Sequence, residues 1–154
     1  MAPLIVLTLL SGCHDQAREQ AERGARDRGR LEAIVNADET LDRTLKSADD
    51  ASRAGDEAKA AALLEGDGAR ASSDAIAEAE REPLETTWAR ARRDAILAVM
   101  RERQTSIPAY ARALRGDDLE AKLAAVETQI ALQKKALDAA SAALATATDL
   151  ADAG

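Results

Sequence analysis

Leu123, Ile130, Leu137 and Leu144 recur every seven residues, and Leu119, Val126, Gln133, Ala140 and Ala147 hold a second position of the same repeat. Four heptads of this kind specify a coiled-coil-type helix, because a seven-residue apolar period returns to one side of the helix every two turns. A helix over residues 118–149 would extend about 48 Å at 1.5 Å per residue. Gln133 interrupts the seam, either as a register-setting polar layer or as a solvent-facing defect. Segments 31–45 and 84–104 carry enough apolar surface to cover this seam within one chain. A monomer is therefore expected rather than a coiled-coil oligomer, with dimer and trimer left open.

The composition narrows the architecture further. Alanine supplies 38 of 154 residues, phenylalanine is absent, and the only aromatics are Trp88 and Tyr110. So little bulk cannot fill a broad core, whereas Ala and Leu favour helix and small side chains let helices approach closely. The expected fold is all-α, an elongated antiparallel bundle of about three long helices with coiled-coil-like packing. Charged residues make up 32% of the chain and the net charge is −7. An acidic surface opposes binding to nucleic-acid phosphates and adhesion to anionic membranes.

Residues 14–30 carry no large apolar side chain and nearly balanced charge, with Glu19–Arg23 and Glu22–Arg26 spaced for pairing along a helix. Gly24 and Gly29 offset that support, so either a frayed helix or a flexible spacer fits this segment, read as a polar tether. Packing is expected to begin at Leu31 and to use Leu31, Ile34, Val35, Leu41 and Leu45 as one face. Between Lys46 and Ala62 no apolar residue exceeds alanine, so this stretch is expected to pack least firmly. Gly55-Asp56 has the form of a helix stop and a new N-cap, and Gly66-Asp67-Gly68 that of a turn. The next helix is expected from about Ser72 to Gln104, with Glu82-Pro83-Leu84-Glu85 as a start or a kink. Thr105-Ser106-Ile107-Pro108 suggests a break, then a short helix over 108–115 carrying Tyr110 and closed by Gly116. Asp117 and Glu120 are spaced as a capping box for the last helix. The bundle domain is expected over 31–150, with a disordered tail at 151–154.

The beginning of the chain has a different character. Leu4 to Leu10 form an apolar run that ends in Leu10-Ser11-Gly12-Cys13, holding the only cysteine, and polar residues follow at once. The run is too short to cross a bilayer, which takes about 20 apolar residues, but has the form of a secretion signal. No Lys or Arg precedes it: either the α-amino group suffices, or the true start lies upstream of Met1. The plainer alternative is a buried N-terminal strand with an inert cysteine.

This layout resembles the signal peptide and lipobox of bacterial lipoproteins, over residues 1–13 only. The resemblance implies cleavage after Leu10, Ser11 and Gly12, removal of residues 1–12, and a thioether-linked diacylglycerol on Cys13. In many Gram-negative bacteria a further N-acyl chain is added. Each buried methylene contributes about 0.8 kcal/mol, so two or three chains, palmitate among them, anchor stably where one does not. The segment 13–30 would then be a lipid-anchored tether. In enteric lipoproteins Asp directly after the lipidated Cys favours the inner membrane; His14 stands there instead, which favours the outer membrane. Braun-type lipoproteins also join an acylated Cys to coiled coil but end in a lysine that attaches to peptidoglycan. Gly154 stands at the end here, so covalent wall attachment is not expected.

Candidate chemistry is sparse. His14 is the only histidine, whereas catalytic triads, zinc sites and di-iron bundles need histidine on packed helices. The carboxylates at Asp49–Asp50, Glu78–Glu80–Glu82 and Asp117–Asp118 read as solvated faces. No catalytic residue, metal ligand or cofactor is expected, and no enzyme. Trp88-Ala89-Arg90-Ala91-Arg92-Arg93, continuing to Arg101 and Arg103, combines the residue types that dominate binding hot spots. Trp88 and Arg92 are spaced to stack as a cation–π pair. Either Trp88 fills core space and the arginines pair with nearby acids, or Trp88, Arg92 and Tyr110 form a partner surface. The functional expectation is a lipid-anchored envelope protein with a structural or protein-interaction role. Two alternatives are a periplasmic module that binds a hydrophobic ligand near Ile96–Met100 and Trp88, and, more remotely, an enzyme.

Overall fold

The computed structural model describes residues 8–145, and side chains from Asp15 onward. The fold is all-α, with no strand among the described residues. Six α-helices follow in order: α1 (Thr8–Ala37), α2 (Glu39–Arg53), α3 (Glu57–Leu63), α4 (Ala69–Arg81), α5 (Thr87–Arg115) and α6 (Leu119–Leu144). A single residue, Asp38, separates α1 from α2, and a π-helical segment (Leu64–Gly68) joins α3 to α4 without a break. The chain is therefore four rods rather than about three, with α5 contacting α1, α3, α4 and α6.

The breaks between rods follow local chemistry. Gly55 adopts φ +82° and ends the first rod, and Asp56 accepts a hydrogen bond from the Lys59 amide at 3.0 Å to start the second. A Cβ at Gly55 would meet open space, so Gly55→Ala should cost only the backbone strain of a left-handed residue, about 1 kcal/mol. The midpoint of urea unfolding measures this. At 82–86 the chain leaves the helical state, because Pro83 lacks an amide hydrogen and Thr86 caps α5 through a bond from the Ala89 amide. The helix expected over 72–104 is therefore split here. Asp118, not Asp117, caps α6, accepting from the Glu120 and Ala121 amides at 2.9 and 3.2 Å.

Two expected breaks do not occur. Pro108 lies inside α5, where Ile107, Tyr110, Ala111 and Leu114 are all buried and the packing carries the helix through. No separate helix begins at 108. Gly66-Asp67-Gly68 is not a turn but part of the π-helical segment. A Cβ on Gly68 would lie 3.8 Å from Thr44 and 4.0 Å from Ile107, ordinary packing distances, so this buried position faces α2 and α5 with room for a methyl group.

The buried residues form two clusters. One contains Leu41, Ala48, Ala60, Leu64, Ile107 and Leu114, the other Leu31, Ile34, Leu84, Ile96, Leu97 and Met100. Leu31, Ile34 and Leu41 are fully buried, as their spacing predicts. The stretch 46–62 is not loosely packed: Ala48, Ala60 and Ala61 are fully buried and Ala51 nearly so. Small side chains let helices approach closely, which is how alanine alone can form core here. Of the two forms open to residues 14–30, the structure shows helix, exposed over nearly all of 15–26. α1 runs through them without interruption, and Asp27 is fully buried. No structural boundary marks position 30.

Most of the α6 seam faces outward, while Val126 and Leu144 of the same repeat stay packed on the bundle. Leu119, Leu123, Ile130 and Leu137 are 68%, 56%, 63% and 65% exposed. Ala125, Gln129, Leu132, Ala139 and Ala143 turn toward the bundle instead. The bundle thus packs mainly on the alanine side of α6 and leaves Leu119, Leu123, Ile130 and Leu137 uncovered.

Candidate functional site

Of the three side chains expected to form a partner surface, the structure brings two together. Trp88 is 37% exposed in the first turn of α5, and the Arg92 guanidinium lies 4.9 Å from its ring centroid. Trp88 is thus not a core filler. Arg92 Nη1 also donates to the carbonyls of Ala143 and Ala145, at 2.9 Å each, and so satisfies acceptors left open at the end of α6. Ala21, Gly24, Ala25 and Arg28 of α1 complete a cleft of about 500 Å³ beside the indole. The glycine contributes nothing that would fill it. Tyr110 is elsewhere: it lies 5% exposed in the other core cluster, where burial pushes its hydroxyl pKa up. Between Ile96, Met100 and α6 the gap is only about 30 Å³, the volume of one water rather than of a ligand.

Of the remaining arginines of that region, Arg90 donates to the Leu84 and Glu85 carbonyls at 3.2 and 2.9 Å, and the others pair with acids. Arg101 binds Glu80 at 2.7 Å and Arg93 binds Asp94 at 3.0 Å on the surface. Arg103 is different, being 1% exposed and bonded to both Asp38 and Asp42. It stands between Met100 and Ile107 on α5, where the two core clusters meet. Asp38 Oδ1 is buried without a partner, and burial holds the Asp38 carboxyl above its ordinary pKa despite Arg103.

A second buried charge ties α1 to α5. The Asp27 carboxylate accepts from the Glu85 amide at 3.0 Å, the Thr86 amide at 2.7 Å and the Thr86 hydroxyl at 2.7 Å. Burial pushes the Asp27 carboxyl pKa up, but these donors outweigh it and hold it below the usual carboxylate range. Arg26 makes a two-point pair with Glu85, both bonds at 3.2 Å, and Arg30 bonds the Pro83 carbonyl. The Arg26 hydrogen bond in turn holds Glu85 below its ordinary pKa. Sequence reasoning missed Asp27 by treating it as a solvated tether charge. Its position four and seven residues before Leu31 and Ile34 places it on their buried face, and that spacing was the available signal.

The third feature is the outward face of α6. Beside its leucines a groove of about 440 Å³ runs to α2, with Leu45, Lys46, Asp49 and Arg53 on the α2 side. On the bundle side, Lys122 pairs with Glu57 at 2.6 Å and Gln129 donates to the Ser106 hydroxyl at 2.9 Å. Gln133 is exposed and sets no buried layer.

Leu10, Ser11, Gly12 and Cys13 fall in the first turns of α1, with their side chains and that of His14 outside the described residues, as are residues 1–7 and 146–154 altogether. Among the described residues no group of His, Cys, Asp or Glu is arranged to hold a metal ion, and no helix is long and apolar enough to cross a membrane. No family model, curated protein or solved structure matches the chain.

Proposed function

We propose that this chain is a lipid-anchored envelope protein that presents an elongated, antiparallel helical bundle to another envelope component. The observation that carries this reading is the apolar run ending in Leu10-Ser11-Gly12-Cys13, with the only sulfhydryl at its end. Acyl chains on Cys13 would fix the bundle to the membrane, in the outer membrane by virtue of His14, and no catalysis is assigned. Two features support an interaction role over a chemical one. Trp88 and Arg92 form an accessible aromatic–cationic pair beside α1, and α6 offers a row of exposed leucines.

Because α1 is continuous from Thr8 and docks through Asp27, the link from anchor to bundle is a helix rather than a flexible stalk. Residues 13 to 27 span about 21 Å at the helical rise, which sets how far the bundle stands from the acylated residue.

Mass spectrometry of the N-terminal peptide from membrane fractions tests the proposal. The expected peptide begins at Cys13 and carries the mass of at least two acyl chains, and Cys13→Ser moves the protein out of the membrane pellet. A Cys13→Ser chain cut at the same bond and retained in the pellet would overturn it. The second reading, a hydrophobic ligand in the cleft beside Trp88, rests on the partial exposure of that indole. It requires added lipid to quench the Trp88 fluorescence.

A further inference from the structure

We propose that the outward face of α6 docks, antiparallel, against α6 of a second copy of this chain. Leu119, Leu123, Ile130 and Leu137 project between 56% and 68% exposed along one side of the helix. They occupy the two heptad positions that form the seam of a two-helix pair. From Leu119 to Leu137 the row spans about 27 Å at the helical rise. Contiguous exposed leucines of this kind mark an association surface.

Charge selects the occupant and its direction. Glu120, Glu127 and Lys134 flank the row on its outer edge, all exposed, acidic toward the start of α6 and basic toward its end. That order is self-complementary when two copies run in opposite directions, because an antiparallel pair brings these same edge positions together. With the dyad beside Thr128, Leu119 faces Leu137 of the second copy, Leu123 faces the exposed Gln133, and Ile130 meets the open edge of Val126, whose other side packs on its own bundle. Glu120 then reaches Lys134 of the second copy. A parallel pair would instead need Lys122 for Glu127, and Lys122 is already held at 2.6 Å by Glu57 on the bundle side. The helix is folded on its own bundle before it meets the copy, so association does not have to order it. Acylation of Cys13 plays no part in the pairing.

The antiparallel arrangement sets the two Glu127 side chains next to each other at the dyad, and this gives the test its signature. Sedimentation equilibrium of the full chain carrying Cys13→Ser should show a monomer–dimer equilibrium. Ile130→Lys with Leu137→Lys should weaken it at least about tenfold, the equivalent of 1.4 kcal/mol. Both side chains are exposed, so the melting temperature of the monomer should not change. Glu127→Gln should tighten the dimer about threefold by removing a like-charge contact. In the same Cys13→Ser chain, Glu127→Cys should form a disulfide-linked dimer with itself. Glu120→Cys and Lys134→Cys should cross-link only when mixed.

Several results would overturn the proposal. A chain that stays monomeric at about 100 µM, well above a micromolar dissociation constant, is one. Equal self-linking of Glu120→Cys or Lys134→Cys would show a parallel or unspecific contact. A fall in the melting temperature of the monomer with Ile130→Lys would assign the face to residues 146–154 of the same chain. Loss of binding to phosphatidylglycerol vesicles, with an unchanged dimer, would assign it to the membrane.

Discussion

Arg103→Ala is expected to destabilise the fold by about 3–5 kcal/mol, the cost of removing one member of a buried ion pair. For a chain of this length that lowers the melting temperature by about 10 °C. Arg103 is nearly inaccessible and bonds two acids from the other side of the bundle, Asp38 between α1 and α2 and Asp42 in the first turn of α2. Its loss leaves Asp38 buried with one oxygen already lacking a partner. The damage should come from the stranded Asp38 carboxylate more than from lost attraction, since Asp42 is half exposed to water. Arg103→Met with Asp38→Asn should therefore recover most of the stability, since an uncharged pair of similar volume carries no unpaired ion. Circular dichroism during thermal unfolding measures both variants. Asp38 has a pH consequence of known sign. Its folded-state pKa is raised, so its protonated form favours the fold at low pH, and that contribution disappears as pH rises through the folded-state value.

Asp27→Ala should cost about 2–3 kcal/mol, because three donors on the start of α5 lose a charged acceptor that is fully buried. The carboxylate also faces the positive end of the α5 dipole, which adds to its effect. Here the pH dependence has the opposite sign. The Asp27 pKa is lowered on folding, so its stabilisation is complete above the ordinary aspartate pKa, about 4, and is lost as pH falls through the folded-state value. Asp27→Asn should remove this acid-side slope from a plot of unfolding free energy against pH. Hydrogen exchange separates the local effect from the global one. Amides of residues 14–30 should lose protection in Asp27→Ala before those of α5 and α6 do, because Asp27 and the Arg26–Glu85 pair hold that end of α1 in place.

Parts of this architecture can be read directly from local sequence. Gly55-Asp56 ends one helix and caps the next through contacts confined to neighbouring residues, so no distant partner is needed to recognise it. Leu31 and Ile34 on α1 and Leu41 on α2 identify their buried faces because no rival set of large apolar residues competes on either helix. α6 carries two sets instead. Its leucines and its small residues both repeat every seven positions, and periodicity alone does not say which set meets the bundle. Size suggests the leucines. Close approach of α5 to α6 selects the alanine side, which depends on the whole assembly. Pro108 follows the same logic: its missing amide weakens α5 locally, while the burial of Ile107, Tyr110 and Leu114 carries the helix past it.

The candidate sites divide in a similar way. The Trp88–Arg92 stack is a contact four residues apart and was visible as such. The bond from Arg92 to the end of α6 spans 51 residues and was not. Asp27 and Arg103 look like any other charge in a chain that is one-third charged, and only the folded arrangement shows that they are buried. Tyr110 and Trp88 lie in different parts of α5, one enclosed and one accessible, a difference that depends on which helices pack against each.

The orientation of α6 is the claim on which the interaction surface depends, and thiol labelling of single cysteines measures it directly. In the Cys13→Ser chain, at concentrations low enough to keep it monomeric, Leu123→Cys, Ile130→Cys and Leu137→Cys should react at rates close to those of the unfolded protein. Ala125→Cys, Leu132→Cys and Ala143→Cys should be protected. The opposite pattern, with the leucine positions slow and the alanine side fast, would contradict the outward face and the pairing built on it.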